Sequence, residues 1–384
     1  MLFTINRKRE AYMINEKRLI KTFTDLVKID SESRNEKKVA SYIEKKIKKL
    51  KLKYKFDNSK KLTGSNVGNL IIYKKNNNSK KFFVLSSHMD TVVPGNGIKP
   101  VIKKNHIESG GNTILGADDK SGLAIILEVF ETLVEKKYPH VNLEAAITTC
   151  EEIGLLGAKF LNYKLLKSKS GIVLDSTSPS RLVLKGPSSD YFSIDILGVE
   201  SHSGINPEKG ISSIKIASEV ISKIKIGRIY KDTTLNIGKI KGGSAINIVP
   251  GKTSIQCEIR SHRESVISKI LDQIKKNLKI IEKKYKKINP KFSIIFKKER
   301  IYDSINISPN NEIVKRVLKA SEELNYKTNI VETGGGADAN FFVKNKISTV
   351  NLGTGMREFH TVDEKLILDE FITSANIVLK TILL

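Results

Sequence analysis

Hydrophobic residues in the first half of the chain follow two alternating spacings. Residues Leu19–Val27, Glu36–Leu50 and Ser121–Lys136 form segments of helical pattern, and a shorter helix is predicted at Leu155–Leu161. Four further segments are predicted as strands, and the second of them is a continuous apolar run of the kind found in strands buried on both faces. These segments are Asn69–Tyr73, Phe82–Ser87, Asn142–Thr149 and Ser170–Asp175. Because strands alternate with helices, the pattern predicts an α/β fold with a mostly parallel central sheet.

The pattern changes at Asp190 and returns to its first form near residue 301. The intervening elements occur in the order strand, helix, strand, strand, helix, strand, which predicts a small α+β sandwich. They are Tyr191–Val199, Gly210–Lys225, Thr233–Gly238, Thr253–Arg260, Glu264–Lys286 and Phe292–Phe296. A helix at Asn311–Leu324, a strand at Ser348–Leu352 and a last helix at Asp363–Leu383 then resume the α/β pattern. We therefore predict an α/β domain of residues 1–186 and 301–384, interrupted by a domain of residues 187–300.

Composition changes this picture little. The formal net charge of the 384 residues is +26, but only 11 of the 67 basic residues are Arg, and the lysines are dispersed along the chain. No helix-turn-helix, zinc-finger or RNA-binding signature accompanies the charge, so we expect no nucleic-acid partner. Steep salt-dependent binding to DNA would favour that alternative.

The expected compartment is the cytoplasm. Two cysteines cannot form a disulfide framework, and no apolar run is long enough to cross a membrane, so no membrane partner is expected. Met13 begins a clear helical pattern, and residues 1–12 are expected to be an upstream extension without a structural role.

The candidate chemistry begins at the end of the second predicted strand. His88 and Asp90 lie two residues apart, so their side chains point to one face of a strand. A metal-bound imidazole needs its other ring nitrogen held, and a nearby carboxylate can do so. A solvated His-x-Asp at a strand end is common, however, and alone it identifies no site.

Further acidic residues follow the same pattern. Asp118 and Asp119 lie in a glycine-flanked turn before a helix, where one carboxylate can bridge two cations and another can cap the helix. Glu151 and Glu152 follow one apolar strand, and Asp175 ends the next, where ligands collect in open α/β sheets. One glutamate can bind metal while the other takes a proton from water. The same two residues would also be typical of a solvent-exposed helix N-terminus, where Glu is favoured.

Two further histidines lie downstream of these acids. His360 follows a glycine-rich turn, and His202 lies between a strand and a helix of the inserted domain. His202 can reach a substrate from there, although most loop histidines are simply exposed. His88 and His360 together with three acids satisfy a pair of Zn²⁺-like ions, with one acid left as a base. The ordered set therefore predicts a metallohydrolase with two metal ions.

The ordered motifs resemble the di-zinc metallopeptidase family of peptidase T, carboxypeptidase G and the aminoacylases, and most closely its peptidase T-like, tripeptidase-like branch. The segments that carry this resemblance span nearly the whole chain: SSHMDTVVPG, LGADDKSG, CEEIGLLGAK, VLDS, HSGINPEKGISSI, IGKIKGGSAINIVPG, EIRSH, GGGADANFF and NLGTGMREFHTVDE. The inserted domain departs from the family pattern at Ser203, where Ala or Pro is common.

The resemblance implies a role for each position. One metal would be bound by His88, Asp118 and Asp175, and the other by Asp118, Glu152 and His360. Glu151 would be the general base acting on a water that bridges the metals. Asp90 would orient His88, and the Asp118–Asp119 peptide bond would be cis. Two divalent ions are implied, Zn²⁺ first and Co²⁺ or Mn²⁺ as alternatives.

The resemblance also implies a catalytic α/β domain and an inserted lid or dimerisation domain, through which the chain could form a homodimer. His202, Asn247, Arg260, Gly335 and Gly336 match family positions near the substrate. Within the family, Asp at the position of Asp175 is associated with aminopeptidases. We therefore expect an aminopeptidase acting on short peptides, tripeptides first. The alternative is an amidohydrolase or deacylase of N-acyl amino acids with the same metal site, and a non-catalytic binding protein is a third possibility.

Overall fold

The computed structural model describes residues 13–383, so the expected extension of residues 1–12 lies outside it. The helices, in chain order, are α1 (Glu16–Val27), α2 (Lys37–Lys49), α3 (Lys60–Thr63), α4 (Ala117–Lys136), α5 (Leu156–Lys159), α6 (Ser213–Ser222), α7 (Glu264–Lys286), α8 (Glu312–Glu323), α9 (Ala339–Lys344) and α10 (Leu368–Leu383).

The strands, in chain order, are β1 (Lys53–Phe56), β2 (Leu70–Lys74), β3 (Phe82–His88), β4 (Pro100–Ile102), β5 (His106–Ser109), β6 (Asn142–Thr148), β7 (Ser170–Val173), β8 (Arg181–Gly186), β9 (Ser188–Leu197), β10 (Gly227–Tyr230), β11 (Thr233–Gly242), β12 (Lys252–Ser261), β13 (Ser293–Tyr302), β14 (Ile305–Asn306), β15 (Asn329–Glu332), β16 (Ser348–Leu352), β17 (Met356–Arg357) and β18 (Lys365–Ile367).

The central sheet confirms the α/β prediction. Its strand order is β1-β2-β6-β3-β7-β16-β8-β14, with β15 paired to β8. The neighbours β6, β3, β7 and β16 run parallel, whereas β1, β2 and β8 pair antiparallel at the flanks. Every residue of β6 is buried, as expected for a parallel strand with helices on both faces. The sheet is therefore mixed, with a parallel centre that carries the strand ends of interest.

The helices pack through the faces that their sequences predict. In α1, Leu19, Phe23 and Leu26 are fully buried, and α1 packs against α4. The Asn15 side chain accepts the backbone N–H of Arg18 and caps the first turn, which satisfies one of the free donors there. Phe23 also meets Phe371 edge-to-face, with ring centroids 5.6 Å apart. The ends of the described chain therefore contribute to one core.

The backbone divides into two compact units. One contains the residues up to Leu184, residues 306–332 and those from Ala337 onward, and the other contains Lys185–Ile305 and Thr333–Gly336. The second unit has an antiparallel sheet of order β10-β11-β12-β9-β13. Alternate residues of β9 are buried, and α7 buries a helical stripe that includes Ile267, Leu271 and Leu278. The strands and helices of this unit therefore each bury one face, and these faces form a core of their own.

Several predicted boundaries differ from the observed ones; strand β13, for example, continues to Tyr302 rather than ending at Phe296. The last helix begins at Leu368 rather than Asp363, because Lys365–Ile367 pair as strand β18 with β5. Leu366 is fully buried opposite Ile107 in that ladder. Three residues of strand cannot be distinguished from a first helical turn by periodicity alone. No helix among residues 13–383 is long and apolar enough to cross a membrane.

We predict that a buried ion pair between α1 and α4 stabilises this unit. Arg18 donates from Nε to Oε2 of Glu128 at 2.6 Å and from Nη2 to Oε1 at 2.8 Å, and the Glu128 side chain is fully buried. Arg18→Ala should lower the free energy of unfolding by about 3 kcal/mol, because it leaves that carboxylate buried without its partner. Urea unfolding followed by circular dichroism measures the effect.

Lys21→Ala is the matched control in the same helix. Lys21 pairs with Asp25 on the exposed surface at 2.8 Å, a contact worth less than about 1 kcal/mol. Equal losses in the two variants would contradict the special role of the buried pair.

Candidate metal centre

The candidate site lies where the parallel strands end. His88 is the last residue of β3 and is paired in register with Thr148 at the end of β6, while Ser86 is paired with Val173 at the end of β7. Glu151 and Glu152 therefore follow β6, and Asp175 follows β7, at the same edge of the sheet. This edge is where open α/β sheets collect their functional side chains.

Three predicted ligands form one compact group. Nε2 or Nδ1 of His88 and one carboxylate oxygen each from Asp118 and Glu152 lie within 4.8 Å of one another. His88 Nε2 is 3.0 Å from Asp118 Oδ1. One imidazole and two carboxylates are a donor set suited to Zn²⁺ and similar divalent ions. The residues therefore fit the predicted cofactor class.

The two oxygens of Asp118 face different histidines. Oδ1 meets His88, as given above, whereas Oδ2 lies 3.3 Å from Nε2 of His360. His360 Nε2 is also 2.9 Å from Oε2 of Glu152. A carboxylate placed between two imidazoles can offer one oxygen to each of two cations, and the bridging role of Asp118 stays a prediction.

Asp175 follows β7 and interacts electrostatically with this group, although it is not one of the three residues whose ligand atoms lie within 4.8 Å of one another. Its backbone N–H donates to Oδ1 of Asn351 at 3.1 Å, which fixes the chain at the end of β7. Loss of solvation raises the pKa of Asp175 well above its ordinary value, and the charges of Asp118 and Glu152 raise it further. Crowded carboxyl groups of this kind favour the binding of cations that neutralise them.

The turn that carries Asp118 is held by an unpredicted carboxylate. Glu364 accepts the backbone N–H groups of Leu115, Gly116 and Asp118 at 2.8, 2.7 and 3.0 Å. Burial raises the pKa of Glu364 to about 7, although these donors act in the opposite direction. Gly116 has a φ of 72°, and the Asp118–Asp119 peptide bond is cis, as the family resemblance implied.

Asp119 has a different task from its neighbour. Its Oδ2 accepts the backbone N–H of His88, and its Oδ1 accepts that of Gly122, both at 3.2 Å. A Cβ atom at Gly122 would lie 2.6 Å from both Oδ1 of Asp119 and the carbonyl oxygen of Leu174. The glycine therefore lets α4 approach the strand ends closely, and Asp119 binds backbone rather than pointing at the other candidate ligands.

Asp90 connects His88 to both glutamates. Nδ1 of His88 lies 2.9 Å from the carbonyl oxygen of Asp90 and 3.4 Å from its carboxylate. That carboxylate accepts the backbone N–H of Glu151 at 3.0 Å and of Glu152 at 3.2 Å. The main-chain oxygen thus contacts the imidazole more closely, while the side chain positions the two glutamates.

The electrostatic setting of Glu151 suits a proton carrier. Burial raises the pKa of Glu151 well above its ordinary value; the charge of His88 opposes this, and those of Asp175 and Glu152 add to it. For His360, contacts with Asp118 and Glu152 raise the pKa to about 10. A carboxyl group with a raised pKa can both accept and return a proton near neutral pH.

Two family models match successive parts of the chain. The model of peptidase family M28 matches residues 69–186, and that of the peptidase dimerisation domain matches residues 188–286. The first match contains most of the metal centre, and the second lies within the second unit.

Relatives match the chain over nearly its whole length. The protein YqjE of Bacillus subtilis is 36% identical over 96% of this chain and 99% of its own. A crystal structure of a tripeptidase from Staphylococcus aureus is 35% identical with a TM-score of 0.89, covering 96% of this chain and 98% of that one. The chain belongs to the metallopeptidase family of peptidase T. The aminopeptidase PepT of Bacillus cereus agrees, at 36% identity and a TM-score of 0.86 over 97% and 99% of the two chains.

The residues of the peptidase that were predicted to contact the substrate lie in the second unit. His202 forms a β-bridge with Ile248, and the carbonyl of Asn247 accepts the backbone N–H of Ser203 at 3.0 Å, so His202 and Asn247 lie on adjacent segments. Arg260 donates from Nε to Oε1 of Glu258 at 2.8 Å. Their contact with a substrate stays a prediction.

The glycines Gly335 and Gly336 also belong to this unit. A Cβ atom at Gly336 would lie 2.4 Å from the ring of Tyr302, so only glycine fits there without a shift of that ring. Their place beside a substrate likewise stays a prediction.

Sequence reasoning missed a second positioning group, Glu36. This buried carboxylate accepts the backbone N–H of Arg34 at 2.9 Å and of Cys150 at 3.0 Å, and the Ser65 hydroxyl at 2.6 Å. Cys150 has a φ of 53° and directly precedes Glu151, so Glu36 fixes an unusual backbone conformation next to the candidate base. Glu36 lies 114 residues from Cys150, and no local sequence pattern connects the two.

We predict that Glu36→Ala lowers kcat by about 10- to 100-fold, because a small shift of a catalytic group is costly. Glu144 provides a matched control, since it is another buried carboxylate that accepts backbone N–H groups, those of Lys167 and Ser168, but at the opposite end of β6. Glu144→Ala should leave kcat within about twofold of wild type, as expected of a distant site. Steady-state kinetics at matched folded fraction make the comparison, and equal losses of kcat would refute a positioning role for Glu36.

Proposed function

We propose that this peptidase is a zinc-dependent aminopeptidase of short peptides, with tripeptides as the preferred substrates. The observation that carries the proposal is the placement of Asp118 between His88 and His360, with Glu152 beside them and Glu151 next in the chain. The similarity of the whole chain to a tripeptidase and to PepT supports the choice of substrate.

The proposed ligands of the two metals are two histidines and three acids. His88, Asp118 and Asp175 would hold one ion, and Asp118, Glu152 and His360 the other. When bound, such ions polarise a carbonyl group and lower the pKa of a water molecule. Zn²⁺ is proposed because imidazole and carboxylate ligands suit it, with Co²⁺ or Mn²⁺ as functional replacements.

Glu151 is the proposed general base and acid. Its carboxylate accepts a proton from the attacking water and then delivers that proton to the leaving amine. Asp90 supports this role by holding the backbone N–H of Glu151. Burial also raises the pKa of Glu151, which favours delivery of the proton to the leaving amine after the attack.

The second unit is proposed to supply substrate contacts. His202 and Asn247 would donate to the developing oxyanion, and Arg260 would hold a substrate carboxylate bidentately. Gly335 and Gly336 would line the substrate-binding site, where their lack of side chains leaves room for a peptide backbone. We also propose a homodimer, which the match to the dimerisation domain supports, and a cytoplasmic location, consistent with two unpaired buried cysteines.

Metal removal and a substrate panel test the proposed activity. Chelator-treated protein should lose hydrolysis, and Zn²⁺, Co²⁺ or Mn²⁺ should restore it. Restored enzyme should release the first residue of a tripeptide, detected by mass spectrometry. The matched control is the same tripeptide with an acetylated amino terminus, which should resist cleavage. Hydrolysis of N-acyl amino acids in preference to free tripeptides would instead establish the deacylase alternative.

Glu151→Gln tests the base separately from metal binding. It keeps the side-chain shape but removes the proton acceptor, so kcat should fall by about 10²–10⁴-fold while metal content stays normal. The adjacent variant Glu152→Gln removes a proposed ligand and should lower metal content as well. Metal analysis and kinetics on both proteins distinguish the roles, and a loss below about threefold in Glu151→Gln would assign the base elsewhere.

A further inference from the structure

One cavity of the first unit lies away from the candidate metal centre. It has a volume of about 380 Å³ and is bounded by the beginnings of β1, β3 and β6 and by the end of β2. Lysines dominate the charge of its lining, namely Lys51, Lys53, Lys74, Lys75 and Lys167. We call this cavity the lysine cleft.

The lysine cleft and the metal centre lie at opposite ends of the same strands. Phe82 and Asn142, which line the cleft, are paired at the start of β3 and β6, whereas His88 and Thr148 are paired at their end. Six residues of strand at about 3.3 Å each separate the two pairs by roughly 20 Å. A ligand in the cleft is therefore not a substrate of the metal centre.

Four of the lysine side chains in the cleft have no ion-pair or hydrogen-bond partner among the described residues. Among residues 13–383, the side chains of Lys51, Lys53, Lys74 and Lys75 form no ion pair or hydrogen bond. Lys167 places its ammonium over the ring of Phe82, 5.5 Å from the centroid. Five lysines therefore line one cavity together with a single acid, Glu144.

Glu144 is the acid of the lining, and its buried carboxylate offsets one of the five positive charges. Glu144 is 1% exposed, and its oxygens accept the backbone N–H groups of Lys167 and Ser168 and the hydroxyl of Ser168. Its carboxylate is thus used to hold the turn before β7. The cleft keeps its strongly positive character.

Lys74 adds an independent observation. It is half-buried between strands, and burial lowers the pKa of its ammonium. Two other lysines that are buried or partly buried have a partner: Lys46 pairs with Glu131 at 2.8 Å, and Lys120 donates to the carbonyl of Ile29 at 2.7 Å. A desolvated cation without a partner is costly, and an anion bound beside it would remove that cost.

The shape and chemistry of the cleft define the class of ligand. Its volume suits a small molecule rather than a polymer, and Tyr73 and Phe82 contribute an aromatic part of the wall. Several lysines around one cavity suit several linked anionic groups, because each ammonium acts as a point charge toward phosphate oxygens. A cleft of one charge sign also concentrates such ligands before they bind.

We propose that the lysine cleft binds a small ligand with two or more linked phosphate groups, at a site separate from the metal centre. The lysine-rich composition of the chain does not by itself create this site, because dispersed lysines do not converge on one cavity. Monophosphate should bind more weakly than a polyphosphate, because it reaches fewer of the ammonium groups.

Titration calorimetry of the metal-loaded, full-length protein with inorganic tripolyphosphate tests the proposal. The cleft variant combines Lys53→Gln, Lys74→Gln and Lys75→Gln and should weaken binding by at least about tenfold. The matched control, Lys276→Gln with Lys279→Gln and Lys283→Gln, removes the same charge from exposed, unpaired positions of α7 and should change binding less than about twofold. Both variants keep the metal centre, so heat from withdrawal of metal by tripolyphosphate is common to all three proteins and cancels in the comparison.

Three further outcomes would overturn the proposal. They are absence of tripolyphosphate binding beyond the common heat, equal weakening in the two variants, and equal affinity for monophosphate. Preferential binding of duplex DNA, weakened in the α7 control, would instead indicate a diffuse nucleic-acid surface. Thermal unfolding gives a second readout: the cleft variant should unfold at the same or a higher temperature, because it relieves repulsion, whereas a large decrease would show that the lysines have a structural role.

Discussion

The convergence of acidic side chains at one edge of the central sheet is the constraint on which the rest of this peptidase depends. Asp90, Glu151 and Glu152 are brought there because β3 and β6 are parallel and end in register, and Asp118 joins them from the turn at the start of α4. Like charges held this close raise one another's pKa and oppose folding unless cations or donors compensate them. Acids placed to hold divalent cations therefore also destabilise the protein in the absence of those cations.

Backbone amides provide much of that compensation. Asp90, Asp119, Glu36 and Glu364 each accept two or more main-chain N–H groups, and each thereby fixes a segment that carries a candidate catalytic or ligand residue. These carboxylates form a second layer behind His88, Asp118 and Glu151. Such a layer orients the functional groups before any ligand arrives, which reduces the reorganisation needed during the reaction.

Most of the fold could be predicted from periodicity because its elements are long or strongly apolar. The predicted helix Glu264–Lys286 and strand Ser348–Leu352 have the observed bounds. Short elements such as β18 could not be predicted, since their pairing with β5 is decided by residues more than 250 positions away. The candidate ligands could be proposed from their order along the chain, whereas Glu36 and Glu364 could not, because their partners are distant in sequence and their side chains resemble ordinary surface glutamates.

The same strands also separate two electrostatic environments. One end of β3 and β6 carries crowded acids, and the other carries the unpaired ammonium groups of the lysine cleft. With a net charge of +26, the surface as a whole favours anions, so the metal centre is a local exception that persists only because its acids are buried. Salt screens the exposed lysines far more than the buried acids. Ionic strength should therefore alter association with anionic ligands while it leaves the protonation of the buried centre largely unchanged.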